Sequence, residues 1–363
     1  MLVPALTFLT SLLVSFLLIR TAEQHGHRSA DHDLSGPQKF HSRPVPRVGG
    51  VAIFAAILVG TWLSYGSGEK GGLGIWLLVA SSVPTFAFGL AEDLTKDVSP
   101  RRRLFFTAVS ASLAVWLLDA VIRRTAIPGI DHLLSILPFA VVLTVFAVTG
   151  IANAVNIIDG FNGLASMCVF FMLSAIAYVA LQTGDQFVLT ASTTTIGAVL
   201  GFFVWNFPAG RIFLGDGGAY LLGFVVAELS VLVMGRNAAV SPMFGLLLCA
   251  YPIFETVFTI YRRKFVRGVA TAAPDGIHLH TLIHRRVTRP GIGLSRDLRQ
   301  TRRNSMTSPY LWVLCLFSVI PSVVWWSNTA VLTIFFFLFM AVYVFFYRSI
   351  VHFKTPKWLL FRR

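Results

Sequence analysis

The sequence predicts an all-α, polytopic integral membrane protein of about eleven spanning helices with its polar chemistry on one face. Three observations carry that prediction. Of 363 residues, 55% are hydrophobic and only 13% are charged, about half the charged share of a soluble domain. Apolar runs of roughly 20 residues, the length that crosses a bilayer, recur along the whole chain. Lys and Arg are concentrated in alternate connecting segments, as in membrane proteins that keep positive loops inside.

The spans fall at 2–19, 48–65, 73–91, 104–121, 133–152, 164–181, 187–205, 217–234, 239–260, 309–326 and 329–347. The last two are parted only by a tight turn at Ser327-Asn328. No cleavable leader is expected, because the first run lacks a basic n-region and a small-residue cleavage site before Arg20. With the N-terminus outside, all of the 30 Lys and Arg except Lys70, Arg123, Arg124 and Arg236 lie in cytoplasmic segments. The C-terminus is then cytoplasmic, and the basic tail 348–363 brings Trp358, Leu359, Leu360 and Phe361 to the anionic inner leaflet. The net charge of +14 therefore reads as topology, not as nucleic-acid binding. Cys168, Cys249 and Cys315 sit in apolar runs, which excludes a disulfide framework or a cysteine metal set.

Residues 1–363 read as a single membrane domain whose inner loops are 20–47, 92–103, 153–163, 206–216 and 261–308. Every polar cluster of interest lies in one of them. In the first, His41-Ser-Arg43-Pro-Val-Pro-Arg47-Val-Gly49-Gly50, two prolines enforce an extended segment. The glycines let the next helix start against another backbone, and basic residues such as Arg43 suit either phosphate or topology. In the second, Glu92 and Asp93 repel each other at a helix C-terminus, a poor place for anions, so they call for a metal or cationic partner. Ser99-Pro-Arg-Arg-Arg103 follows. In the third, Asn153, Asn156, Asp159 and Asn162 are three apart, which on a helix aligns them along one face.

The fourth, Asn206-Phe-Pro-Ala-Gly-Arg211-Ile-Phe213-Leu-Gly-Asp216-Gly-Gly, surrounds a carboxylate with glycines, so that backbone and metal can both approach a phosphate. Arg211 adds a fixed charge and Phe213 a flat face. The last loop places His278, His280 and His284 beside Arg285 and Arg286. No cysteine or third close ligand completes a zinc site there, and the set suits a diphosphate better. Glu255 stands near an inner helix end, to pair with Arg262 or serve the site, and Glu228 faces the protein interior.

These motifs resemble the polyprenyl-phosphate N-acetylhexosamine-1-phosphate transferases, the WecA-, TagO- and MraY-like members of glycosyltransferase family 4. The resemblance runs from His41 to about His284. It comprises Pro-x-Pro-x-x-Gly-Gly at 44–50, the acidic pair at 92–93, Asn-x-x-Asp-Gly-x-x-Gly-Leu at 156–164, Phe-x-Gly-Asp at 213–216 and His-x-His at 278–280. It implies the following roles. Asp216 is the main Mg²⁺ ligand (Mn²⁺ the alternative), with Asn156 on the metal or the diphosphate. Phe213 stacks on uracil and Asn162 bonds the nucleoside. Asp93 and Glu92 act on the lipid phosphate as base or by positioning it. His278 and His280 hold the diphosphate or sugar, and Asp159 supports the centre. Glu92 stands where the family usually has Asp, Asn162 where many bacterial members have Asp, and Thr281 where the histidine motif often ends in His.

The implied partners are a UDP-N-acetylhexosamine, undecaprenyl phosphate, the lipid bilayer of a bacterial inner membrane and, for assembly, a homodimer. The implied reaction moves the sugar 1-phosphate to the lipid, releases UMP and starts a lipid-linked envelope glycan such as O-antigen or teichoic acid. A transporter or flippase for a phosphorylated or polyprenyl-linked substrate is the rival; it would place polar groups near the bilayer midplane on broken helices.

Overall fold

The computed structural model describes residues 2–22, 44–66, 71–266, 268, 276–288 and 295–352. Arg43, most of the loop 20–47 and the tail beyond 352 lie outside the described residues. The described chain is helical: α1 Leu2–Arg20, α2 Gly49–Gly66, α3 Gly72–Thr95, α4 Pro100–Leu118, α5 Pro128–Leu134, α6 Leu137–Ile158, α7 Leu164–Thr183, α8 Gln186–Asn206, α9 Gly215–Arg236, α10 Met243–Leu248, α11 Ala250–Tyr261, α12 Leu279–Arg286, α13 Arg296–Val324 and α14 Thr329–Val351. A π-helical turn, Arg262–Val266, continues α11.

Nine described helices are long and apolar enough to cross a membrane: α1, α2, α3, α6, α7, α8, α9, α13 and α14. Among the remaining expected spans, α4 begins with Arg101, Arg102 and Arg103, which shortens its apolar part. The run expected as one helix at 239–260 is instead two, α10 and α11, broken at Cys249. The expected loop 261–308 also differs: α12 forms within it, and α13 starts at Arg296 instead of 309.

Local chemistry explains the boundaries. Ser99 accepts from the Arg102 N–H and Pro100 opens α4, the usual N-terminal pairing of a hydroxyl cap and proline. Asp185 and Asn328 cap α8 and α14 with side-chain oxygens that accept from the Val188 and Val331 N–H groups. Helix α9 is the centre of the bundle, with 94% of its most apolar window buried. It carries Gly217 and Gly218 because its neighbours come in backbone to backbone. A Cβ on Gly50 of α2 would lie 2.6 Å from the Gly218 Cα, and one on Gly89 of α3 only 2.7 Å from the Gly217 Cα. Close approach through small residues replaces the hydrophobic drive that lipid cannot supply. On α1, Thr7, Ser11 and Ser15 are buried at a four-residue spacing, one helix face, and Trp205 of α8 donates to the Leu12 carbonyl at 3.0 Å.

Candidate active site

Four of the polar loops converge where α9 begins. Helix α9 has no side-chain cap of its own. Asp93, at the end of α3, supplies one across the bundle: its Oδ1 accepts from the Asp216 N–H at 2.9 Å and its Oδ2 from the Gly217 N–H at 2.8 Å. A carboxylate at a helix N-terminus meets orphan N–H groups and the positive end of the helix dipole. Gly215 at φ +74° makes the entry possible, since a Cβ there would sit 2.5 Å from Asp93 Oδ2.

Asp216 thereby points its carboxylate into the centre. Asn156 Nδ2 donates to its Oδ1 at 3.0 Å, Arg47 Nη2 reaches the same oxygen at 3.3 Å, and Arg103 pairs with its Oδ2. Arg47 also lies 3.7 Å from Asp93. It is fixed by the extended segment before α2, where Phe213 N–H donates to Pro46 O at 2.8 Å and Gly49 N–H to Phe213 O at 3.0 Å. The half-buried Asp159 closes the cluster. Burial pushes its carboxyl up to about 7, and the Arg47 charge pulls it the other way. Three carboxylates thus surround two guanidiniums.

The predicted residues divide into groups. Asp93, Asn156, Asp159 and Asp216 are brought together. The expected single face through 153, 156, 159 and 162 ends early, because α6 stops at Ile158. Asn153 accepts from Tyr220 O–H at 2.9 Å. Asn162 sits in the following turn, turned away and buried, with Nδ2 donating to Pro208 O at 3.1 Å. Glu92 faces the 95–98 turn and accepts from the Val98 N–H at 2.8 Å. Arg211 is exposed, with its guanidinium 5.5 Å from the centre of the Trp205 ring. Sequence does not single out Arg47 and Arg103; juxtamembrane arginines read as topology signals, and only the place of Arg47 inside the Pro-x-Pro-x-x-Gly-Gly motif and of Arg103 in the inner loop that carries the acidic pair hints otherwise.

The histidines form an adjoining wall. His278 Nδ1 lies 3.1 Å from Glu255 Oε1 and 3.2 Å from Thr259 Oγ1. Glu255 also accepts from Leu279 N–H at 2.9 Å and Tyr343 O–H at 2.7 Å. The alternative partner Arg262 goes instead to Ile277 O and Tyr347. His280 stacks on His278 with ring centres 5.0 Å apart and meets Phe161 edge-on at 5.6 Å, which ties the wall to the Asp159 turn. Burial pushes the His280 imidazole down to about 3; it lowers His284 to about 4, with Arg303 adding to the effect.

Fold and site together define a polytopic membrane protein carrying a carboxylate–guanidinium centre at one end of its helix bundle. The sequence model of glycosyl transferase family 4 matches residues 75–234. A Thermotoga maritima protein named undecaprenyl-phosphate alpha-N-acetylglucosaminyl 1-phosphate transferase is 30% identical over 275 residues, 76% of this chain and 80% of its own. A Bacillus subtilis protein named "Probable undecaprenyl-phosphate N-acetylglucosaminyl 1-phosphate transferase" is 28% identical over 279 residues, 75% of each chain. A Salmonella typhi protein with the same name as the first is 28% identical over 258 residues, 68% of this chain and 67% of its own. The chain belongs to glycosyl transferase family 4, the polyprenyl-phosphate sugar-1-phosphate transferases.

Proposed function

We propose that the protein transfers an N-acetylhexosamine 1-phosphate from a UDP-sugar to undecaprenyl phosphate at the cytoplasmic face, starting a lipid-linked envelope glycan. The observation that supports this most is the convergence of Arg47, Arg103, Asp93 and Asn156 on Asp216. It is a charge-balanced centre at helix ends, where a lipid headgroup and a soluble nucleotide can meet. A lipid phosphate oxygen attacks the β-phosphorus of the donor. The bond to the bridging oxygen breaks, and its electron pair leaves with UMP. Phosphoryl transfer of this kind depends on positioning and electrostatics more than on covalent help from the protein.

Asp216 supplies carboxylate oxygens and Asn156, whose Nδ2 faces it, an amide oxygen; two hard ligands of this kind fit Mg²⁺ or Mn²⁺ shared with phosphates. Asp216 and Asn156 would hold it, and when bound it would neutralise charge on the diphosphate. Among the described residues no three His, Cys, Asp or Glu side chains form a metal cage by themselves, so substrate oxygens would have to complete the coordination. A diphosphate offers Arg47 and Arg103 the acceptors they now find on Asp216, in the planar fork that suits guanidinium. Asp93, with both oxygens on backbone N–H groups, holds the start of α9 in place. His278 and His280 wall the sugar side, and Phe213 the nucleoside side.

A transporter would share the break at Cys249 and the buried Glu228, whose carboxylate has no hydrogen-bond partner among the described residues. Neither gathers other polar groups as Asp216 does. The test is UMP release by the purified protein with undecaprenyl phosphate and Mg²⁺ across a panel of UDP-N-acetylhexosamines. Release that needs both lipid and metal supports the reaction, and the best donor names the sugar. A folded preparation that releases no UMP from any donor overturns it.

A further inference from the structure

The polar start of α13 is used by no step above, yet one turn of it touches three parts of the site. Asn304 Oδ1 accepts from the Asn162 N–H at 2.8 Å, and Ser308 Oγ donates to the Asn162 carbonyl at 2.6 Å. Ser305 Oγ lies 3.4 Å from Asn162 Nδ2 and also donates to the Pro208 carbonyl. Arg303 donates from Nε to His284 O at 3.0 Å and from Nη2 to Arg285 O at 3.1 Å, closing the end of α12. Residues 304, 305 and 308 share a helix face and are buried. Both polar groups of the Asn162 peptide are therefore held by α13, and a third asparagine, Asn206, accepts from the next N–H, of Gly163, at 2.6 Å.

We infer that Asn304 is a positioning residue for the nucleotide-sugar side of the site. It fixes the turn carrying Asp159 and Asn162 against the loop carrying Arg211 and Phe213. This rests on the proposed transfer reaction. The asymmetry follows from which elements α13 grips: the 159–163 turn, the 206–213 loop and the histidine helix are tied to it, whereas Asp93 and Arg103 are carried by α3 and α4. Losing the Asn304 oxygen leaves the buried Asn162 N–H without its acceptor. The cost of such an orphan corresponds to a factor between about five and one hundred, and it is relieved by moving the turn.

The test is steady-state kinetics of the full-length protein with its best UDP-N-acetylhexosamine and undecaprenyl phosphate. Asn304→Ala is expected to raise KM for the UDP-sugar about five- to a hundredfold and KM for the lipid less than about threefold. Asn304→Asp keeps an acceptor oxygen and should return the UDP-sugar KM to within about threefold of the parent, whereas Asn304→Leu, which fills a similar volume without an acceptor, should stay as impaired as the Ala variant; a purely structural loss of packing would be rescued by both. Should Asn304→Ala fail to fold, Ser308→Ala removes the second bond to Asn162 within a helix that tolerates alanine, and the same split is expected. Equal effects on both substrates, no effect, or an Asp variant as impaired as the Ala variant would overturn the inference. An active parent with a symmetrical variant defeats this inference alone; a parent that releases no UMP defeats the reaction as well.

Discussion

Asp93 and Asp216 sit at the same helix start and are expected to fail differently when removed. Asp93 is 1% exposed and spends both oxygens on backbone N–H groups, so Asp93→Ala should lower stability by about 2 kcal/mol as well as abolish UMP release. Thermal melting in detergent checks the first part; loss of activity at unchanged stability would instead mark Asp93 as a base. Asp216 offers its oxygens to Asn156, Arg47 and Arg103, all side chains. Asp216→Asn, which keeps an acceptor for Arg47 and Arg103 where Asp216→Ala would strand both guanidiniums, should abolish UMP release while membrane insertion is retained; retained activity would remove Asp216 from the metal and phosphate centre. At this scale the sequence was legible for Asp93, Asn156, Asp159 and Asp216, which stand at inner helix ends and call for partners, but not for Glu92, which turns to its own 95–98 segment. It was not legible for Arg47 and Arg103, whose type and place match ordinary topology signals, or for Asn162. That side chain's partners on Pro208 and α13 are far away in sequence.

Helix packing sets these distances, and Gly89 is where it is most exposed to test. A methyl there would meet the backbone of α9 at Gly217 and the Asp216 carbonyl, 2.8 Å away. Backbone atoms cannot rotate aside, so Gly89→Ala should push α3 from α9 and draw Asp93 off its two N–H groups. Activity is expected to fall at least tenfold, with melting lowered as well; an unaffected variant would show that the two helices can separate without harm. The α12 segment predicts a pH effect. His280 and His284 are held neutral, their folded pKa values depressed to about 3 and about 4, so the unfolded chain binds more protons on acidification. Stability is full above the ordinary imidazole pKa of about 6.5 and falls below it, by up to about 1.4 kcal/mol per pH unit for each imidazole. Melting at pH 7 and pH 5 measures this, and His284→Gln should shrink the difference. Element types were readable from apolar run lengths, but two boundaries were hidden. In 239–260 the break at Cys249 is signalled only by Pro252, in the first turn of α11, a residue that an unbroken membrane helix also tolerates. Residues 296–308 look like a loop because their polar face is satisfied by Asn162 and α12, contacts that composition does not reveal, and Pro309 ahead of the apolar run reads as a stop.

For the molecule as a whole, the unequal ends of the bundle bear on orientation. The end holding Asp216 collects the acidic and arginine centre, while the opposite end is closed by structural ties. There Arg124 donates to the carbonyls of Met234, Asn237, Ala238 and Val240, and Arg236 pairs with Asp185 at 2.8 Å. The distribution of Lys and Arg is the one expected of a first end facing inside, and the proposed transfer requires that orientation because nucleotide sugars are made there. Single exposed cysteines can decide the matter, because Cys168, Cys249 and Cys315 are buried. Arg211 and Asp119 are exposed at the two ends and take no part in the Asp216 cluster. In intact cells a membrane-impermeant maleimide should label Asp119→Cys and leave Arg211→Cys unmodified until the membrane is opened. The reverse pattern would turn the bundle over, placing the carboxylate–guanidinium centre on the side without nucleotide sugars, and the proposed transfer would then lose its donor.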